Sequence, residues 1–460
     1  MIRDFSLTKI LKRALQRGGD FAEIYFEQSQ PTSILCEDNR IEKVITGIDT
    51  GIGIRVIYNN KTSYAYTNLV NERALLELAD SVSLACNEGM FEKNINLSVK
   101  KSGFNSLIKE LPQKVSMQKK IHLVLCANKT ARSWDKRIRQ VKVVYRDSIQ
   151  KLIIVNSAGD FIEDERISTL FMVQVIASQD NIIQTGYEPV GGVVGFEFFK
   201  DDPPENVAER ASSRAILMLE AQKAPGGMMP VVLSSEAGGT MIHEAIGHGL
   251  EADLAQEGIS VYSDRLGQTV ASPLITVIDD ATLPTKRGSY CFDDEGTPSQ
   301  KTILVEKGQL KGYLYDRLTA LKDNVNSTGN GRRESYRNRP IPRMSNTLIA
   351  PGESNPVDIL KSTHKGLFVK KMGGGQVNTV NGDFIFEVSE GYLIESGKIG
   401  TPVRGATLTG NGPDILKKID MVGNDLEFGI GTCGKDGQGV PVADAQPTLR
   451  IPEIIVGGEV

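Results

Sequence analysis

His243-Glu244-Ala245-Ile246-Gly247-His248 sets two imidazoles around a carboxylate in an otherwise apolar, glycine-bearing run. The chain has only four histidines, at 122, 243, 248 and 364, so two of them here are not a chance pairing. Two histidines able to share one metal ion, with a glutamate directly after the first, form the pattern of a zinc hydrolase. The spacing departs from the common H-E-x-x-H. Histidines four apart lie about 400° around a helix, on one face; five apart they lie about 500° around, roughly 140° out of register. Widening one turn to about 4.4 residues brings them within about 50° of each other, so the spacing predicts a π-type turn over 243–248. Gly247 is the residue expected to tolerate that distortion. The competing reading is a regular helix bearing two unrelated polar histidines.

Outward from this run the chain reads as two parts. Ala224-Pro225-Gly226-Gly227 is the expected linker, dividing an N-terminal α+β domain (1–224) from a β-rich domain (225–460), barrel-like or sandwich, that bears the histidine helix. In the first part Leu7, Ile10, Leu11 and Leu15 mark an amphipathic helix. Short strands are expected over 22–26, 32–36, 40–45, 53–58 and 62–66, with turns at Asn59-Asn60 and at Gly47 and Gly51. Helical patterns follow at about 70–86, 115–133 and 205–222, with strands at 141–145, 151–155 and 169–176. In the second part a strand at 230–233 precedes Ser234-Ser235-Glu236, expected to cap the histidine helix. Further strands are expected at 274–278, 302–305, 310–315, 367–370, 384–388 and 392–394.

The composition is that of an ordinary soluble protein: 460 residues, 40% apolar, 24% charged. A net charge of −4 supplies no field to recruit nucleic acid or an anionic membrane, and no direct binding to either is expected. No run of about 20 apolar residues is present, and the opening helix lacks the core of a signal peptide. Five scattered cysteines without a C-x-x-C pair fit a reducing cytoplasm better than a disulfide framework.

A catalytic zinc takes three protein ligands and keeps a position for water. With His243 and His248 as two, the residues leave the third open. Glu251 lies one turn past His248, with Asp253 beyond it, and either is equally explained as a carboxylate that orients an imidazole. Cys433 sits in Gly431-Thr432-Cys433-Gly434-Lys435-Asp436-Gly437, a glycine-rich turn where core packing explains a cysteine poorly. Glu244, adjacent to the first histidine, is placed to take a proton from water and pass it to a leaving amine. Arg332, Arg333 and Arg343 belong to an arginine-rich loop over 327–346, expected to grip substrate carboxylates or main-chain carbonyls; a merely solvated loop is the rival reading. His364 reads as a surface residue. The glycine runs at 373–375 and 409–412 lack a phosphate-binding context and instead suggest close approach of a backbone.

These residues resemble the TldD branch of the TldD/PmbA metalloprotease family. The histidine motif continuing into Glu251-Ala252-Asp253 carries the resemblance, with Asp293-Asp294-Glu295-Gly296, Thr328-Gly329-Asn330-Gly331, Arg343-Met344 and the run from Gly431 to Gln438. The resemblance implies a peptidase with one Zn2+ per catalytic subunit, held by His243, His248 and Cys433, with Glu244 as base. It further implies an N-terminal α+β domain, a β-rich C-terminal domain, and a dimer enclosing the site. That dimer is a homodimer or a heterodimer with a PmbA/TldE-type subunit. Its substrates are short, unfolded or modified peptides. The family's association with DNA gyrase modulation supplies an alternative, a regulatory scaffold whose zinc is structural. An intact Glu244 disfavours it, because a structural site needs no base.

Overall fold

The computed structural model describes residues 2–86, 94–101 and 108–458. Three long strands, Phe21–Glu37, Ile138–Asn156 and Asp160–Gln179, form the middle of an eight-stranded sheet. Asp49–Tyr58 and then Lys61–Thr67 extend one side; Ile182–Gly192 and Ser98–Lys101 pair with the other. Where the sequence suggests separate strands at 22–26 and 32–36, one strand runs through Pro31, and 141–145 joins 151–155 in the same way. The apolar runs are separate because each long strand serves two cores in succession. Ala22 and Ile24 pack under the helices Leu7–Ala14 and Glu72–Ser83, while Ile34 and Cys36 pack under Met117–Trp134 and Pro204–Glu220.

The opposite face of this sheet decides how the two halves meet. Side chains alternate along a strand, so Glu23, Tyr25 and Glu27 point away from the helices and are buried against the second half. Arg55 donates to Glu23 at 2.9 Å and to Glu295 at 2.5 Å, and Arg333 donates to Glu23 at 2.5 Å. Charges this deeply buried are tolerated because each has a partner. The Tyr336 ring lies over Gly51, where a Cβ would meet it at 2.1 Å. Gly51 is therefore an interior strand position kept bare for an aromatic ring, not the turn its sequence context suggests.

In the second half, Lys365–Val377 pairs with Gly227–Leu233, then Leu449–Gly457, Thr407–Asn411 and Asp383–Glu395 follow, and Asp383–Glu395 pairs back with Lys365–Val377. The path is a closed five-stranded barrel. A second sheet has six strands, in the order Gln309–Leu310, Lys301–Glu306, Val277–Asp280, Asn346–Ile349, Gln438–Gln446, Glu427–Lys435. The histidine helix shares one core with both: Met241, Ile242, Ala245 and Ile246 pack with barrel residues Val231, Leu367 and Phe386 and with sheet residues Val277, Val440 and Val442. The fold is thus α+β in its first half and β-rich in its second, with the histidine helix wedged between a barrel and a sheet. Among the described residues no helix is long and apolar enough to cross a membrane.

Candidate metal centre

Ser234 caps a short 3-10 turn, Ser235–Ala237, rather than the histidine helix. The helix starts at Thr240 behind Gly239, whose N–H donates to Asp444 Oδ1 at 3.0 Å. Its first turn is α-helical, its winding is π-type over His243–Gly247, and it tightens to 3-10 over His248–Leu250. The N–H of His248 donates to the carbonyl of His243, the five-residue bond that defines a π turn. The two imidazoles consequently meet, ring centres 5.0 Å apart and planes nearly perpendicular.

Gly247 serves this turn differently from the expectation. Its φ of −55° is open to any residue. What excludes a side chain is Met344, whose Sδ would lie 2.2 Å from an added Cβ. Gly247→Ala must displace Met344, an overpacking of about 1–3 kcal/mol, and Gly247→Val adds two further carbons to the same space. Thermal unfolding is expected to rank parent above alanine above valine, with metal content falling in step. A valine variant as stable as the parent would show that Met344 does not set this requirement.

Cys433 lies not in a loop but on Glu427–Lys435, the edge strand of the six-stranded sheet, opposite Val440. The glycines at 429, 431 and 434 hide the alternation by which strands are recognised. Its Sγ is 3.3 Å from His248 Nε2. The ligand atoms of His243, His248 and Cys433 all lie within 4.8 Å of one another. Neighbouring donors around a tetrahedral metal ion stand about 3.3–3.6 Å apart, a separation that Cys433 Sγ and His248 Nε2 already have. Burial pushes the Cys433 thiol up, but hydrogen bonds and charge from the two imidazoles outweigh it and hold it at about 5. Burial acts downward on both histidines, yet each is raised, His248 chiefly by Glu251 and Cys433 and His243 chiefly by Cys433. Two imidazoles and a thiolate form a donor set able to hold a metal ion.

Around this cluster the carboxylates divide. Glu251, fully buried, faces His248 Nδ1 at 3.0 Å through Oε2. Burial opposes its charge, but Lys435 and His248 bring it down to about 2. Asp253 accepts from Lys435 at 2.7 Å. Glu244 is half-buried; burial raises its pKa against the opposing pull of both imidazoles. Asp444 was not singled out from sequence; its Oδ2 lies 3.9 Å from His243 Nδ1, and burial raises its pKa.

Arg332, Arg333 and Arg343 are all buried, so at these three positions the arginine loop is not a solvated one. Arg343 donates to the carbonyls of Cys433 at 2.5 Å and Gln438 at 3.1 Å, Arg332 to those of Met344 at 2.6 Å and Pro441 at 2.8 Å, and Arg333 to Glu23 and to the Asp294 carbonyl. Their terminal Nη donors go to main-chain oxygens around the Cys433 hairpin and to the seam between the halves, while Nε of Arg333 and of Arg343 is buried without a partner. His364 is exposed, as expected.

Models of the PmbA/TldA metallopeptidase match the chain three times: domain 1 over 22–85, the central domain over 110–219 and the C-terminal domain over 226–458. A metalloprotease TldD homolog of Haemophilus influenzae is 37% identical, covering 98% of this chain and 96% of its own. A metalloprotease of Methanocaldococcus jannaschii is 38% identical, covering 97% and 98%. Among solved structures, a Thermotoga maritima protein described as a candidate modulator of a DNA gyrase superposes with a TM-score of 0.78 at 25% identity, covering 95% of this chain and 96% of that one. TldE of Thermococcus kodakarensis shares the fold at 17% identity, TM-score 0.78, over 98% of this chain and all of that one. By these matches the chain belongs to the TldD/PmbA metalloprotease family, in its TldD branch.

Proposed function

We propose that this chain is a zinc-dependent peptidase acting on short or unfolded peptides, with His243, His248 and Cys433 holding one Zn2+ and Glu244 serving as general base. The observation that carries the reading is the convergence of two imidazoles and a thiol, with the half-buried Glu244 following the first imidazole on the same π turn. A held zinc supplies Lewis acidity, lowering the pKa of water to about 7 and polarising a carbonyl. Glu244 takes a proton from the water that attacks the scissile carbonyl carbon. As the C–N bond breaks, its carboxyl returns that proton to the leaving nitrogen. A pKa raised by burial suits both halves of this transfer. Glu251 accepts from His248 and orients it.

The proposal keeps the division into an α+β domain (1–224) and a β-rich peptidase domain (225–460). It also keeps a cytoplasmic location and a dimer, with a second copy or a PmbA/TldE-type subunit. The scaffold alternative, with a structural zinc, draws on the name of the Thermotoga structure. The test is metal analysis of the purified protein coupled to digestion of one substrate protein in native and destabilised forms. Zinc near one per subunit with cleavage confined to the destabilised form is expected. Zinc without cleavage of either form favours the scaffold.

Metal retention should depend on pH. Each ligand binds zinc without its proton, so acid competes with the metal. Raised imidazole pKa values place that competition above the ordinary histidine value of 6.5, whereas the thiol, held at about 5, protonates later. Zinc affinity is expected to weaken steadily from pH 8 to pH 5, read by chelator competition. An affinity that stays flat down to pH 5 would contradict imidazole ligation.

A further inference from the structure

The strand that carries Cys433 carries Lys435 two residues on, hence on the same face. Its ammonium, on a side chain only 8% exposed, lies 3.1 Å from Glu251 Oε2 and donates to Asp253 Oδ1 at 2.7 Å and the Pro342 carbonyl at 3.2 Å. Three donors meet three acceptors, so the ammonium is fully engaged. Glu251 Oε2 is also the oxygen that faces His248 Nδ1 at 3.0 Å, while Glu251 Oε1 is buried with no hydrogen-bond partner. The carboxylate is therefore held through one oxygen only, between a cation and an imidazole. A carboxylate accepts and does not donate, so His248 Nδ1 carries the hydrogen. Its Nε2 is then the atom turned toward Cys433 Sγ.

We propose that Lys435 is a positioning residue. By holding Glu251 Oε2 against His248 Nδ1, it fixes the ring so that Nε2 is the nitrogen presented to the metal beside Cys433. The inference rests on the reading of His243, His248 and Cys433 as metal ligands. One strand thereby contributes both a ligand, Cys433, and the cation that aims a second ligand on another element. The competing account is that Lys435 only neutralises the buried Glu251 and the partly buried Asp253. In that case its loss lowers stability without changing which nitrogen binds.

The test uses the full chain loaded with zinc for affinity and with cadmium-113 for nuclear magnetic resonance, with histidines labelled with nitrogen-15. With four histidines in the chain the spectrum is assignable by substitution. In the parent, cadmium is expected to couple to His248 Nε2, with Nδ1 bearing a hydrogen. Lys435→Met removes the cation on a similar stem. It is expected to lose or broaden the His248 Nε2 coupling and to weaken zinc binding about 10–100-fold, the range for loss of a group that supports a ligand. If that variant does not accumulate as folded protein, Lys435→Gln is read in the same way. A folded variant of either kind with parental coupling and parental zinc affinity overturns the proposal, even if it melts earlier. A parent that takes up neither metal overturns the metal-site reading itself, which separates the two failures.

Discussion

Glu244→Ala is expected to keep zinc at the parent level while peptide hydrolysis falls about 10²–10⁴-fold, the usual contribution of a general acid–base. Glu244 follows His243 directly, so its carboxylate is not expected to share the metal with that imidazole. It is half-buried, and burial raises its pKa against the pull of the two imidazoles. The remaining His, His and Cys donors are untouched, so metal content separates lost proton transfer from a lost site. Turnover on a mixed peptide pool and metal analysis of the same preparation decide the matter. Near-parental turnover would remove Glu244 from the mechanism.

Cys433→Ser is expected to weaken zinc binding by more than the roughly 10–100-fold typical of a lost supporting residue, with the fold retained. A serine hydroxyl matches the thiol in shape but does not ionise near neutrality, whereas the two imidazoles hold the thiol at about 5. A soft thiolate is also the stronger zinc ligand. The surrounding strand is secured by its pairing with Gln438–Gln446 and by Arg343 on the Cys433 carbonyl, neither of which needs the sulfur. Chelator competition reads the affinity, and far-ultraviolet circular dichroism the fold. Equal zinc affinity in variant and parent would hand the third ligand position to Glu251. That residue's Oε2 is already engaged by His248 and Lys435.

Local geometry was legible in the sequence where a single residue spacing carries it. Two histidines five apart reach one point only on a widened turn, and His243–Gly247 is wound that way. The amphipathic helices were legible for the same reason, since their apolar faces recur every turn: Leu7–Ala14 and Met117–Trp134 lie where the periodicity puts them. Long-range pairing was not. Nothing local says that Asp383–Glu395 returns to Lys365–Val377 and closes a barrel. Glycine was misread for a related reason, because its role depends on distant neighbours. Gly51 admits the Tyr336 ring, Gly247 admits Met344, and Gly375 faces Phe386 at 1.9 Å from a Cβ position. Of the glycines expected to admit a substrate backbone, Gly374 alone among 373, 374, 375, 410 and 412 has open space where a side chain would go.

The arginines and acids show the same limit from the side of charge. A loop dense in arginine reads as exposed because charge is usually solvated. Here Arg333, Glu23, Arg55 and Glu295 come from four distant segments and neutralise one another inside the seam. Each alone looks like surface. Lys435 and Asp444 escaped notice because their meaning lies in what they face: Lys435 the Glu251 behind His248, Asp444 the His243 ring. Sequence shows residue types; which carboxylate meets which cation is a property of the folded seam.

The most direct test of the account is X-ray absorption at the zinc edge of the purified, loaded protein. Three protein ligands plus an exchangeable oxygen predict one sulfur at about 2.3 Å and two imidazole nitrogens at about 2.0 Å with a fourth, lighter neighbour. Cys433→Ser should remove the sulfur and each histidine variant one imidazole. A first shell without sulfur, or one closed by four protein ligands, would contradict a catalytic zinc held by His243, His248 and Cys433.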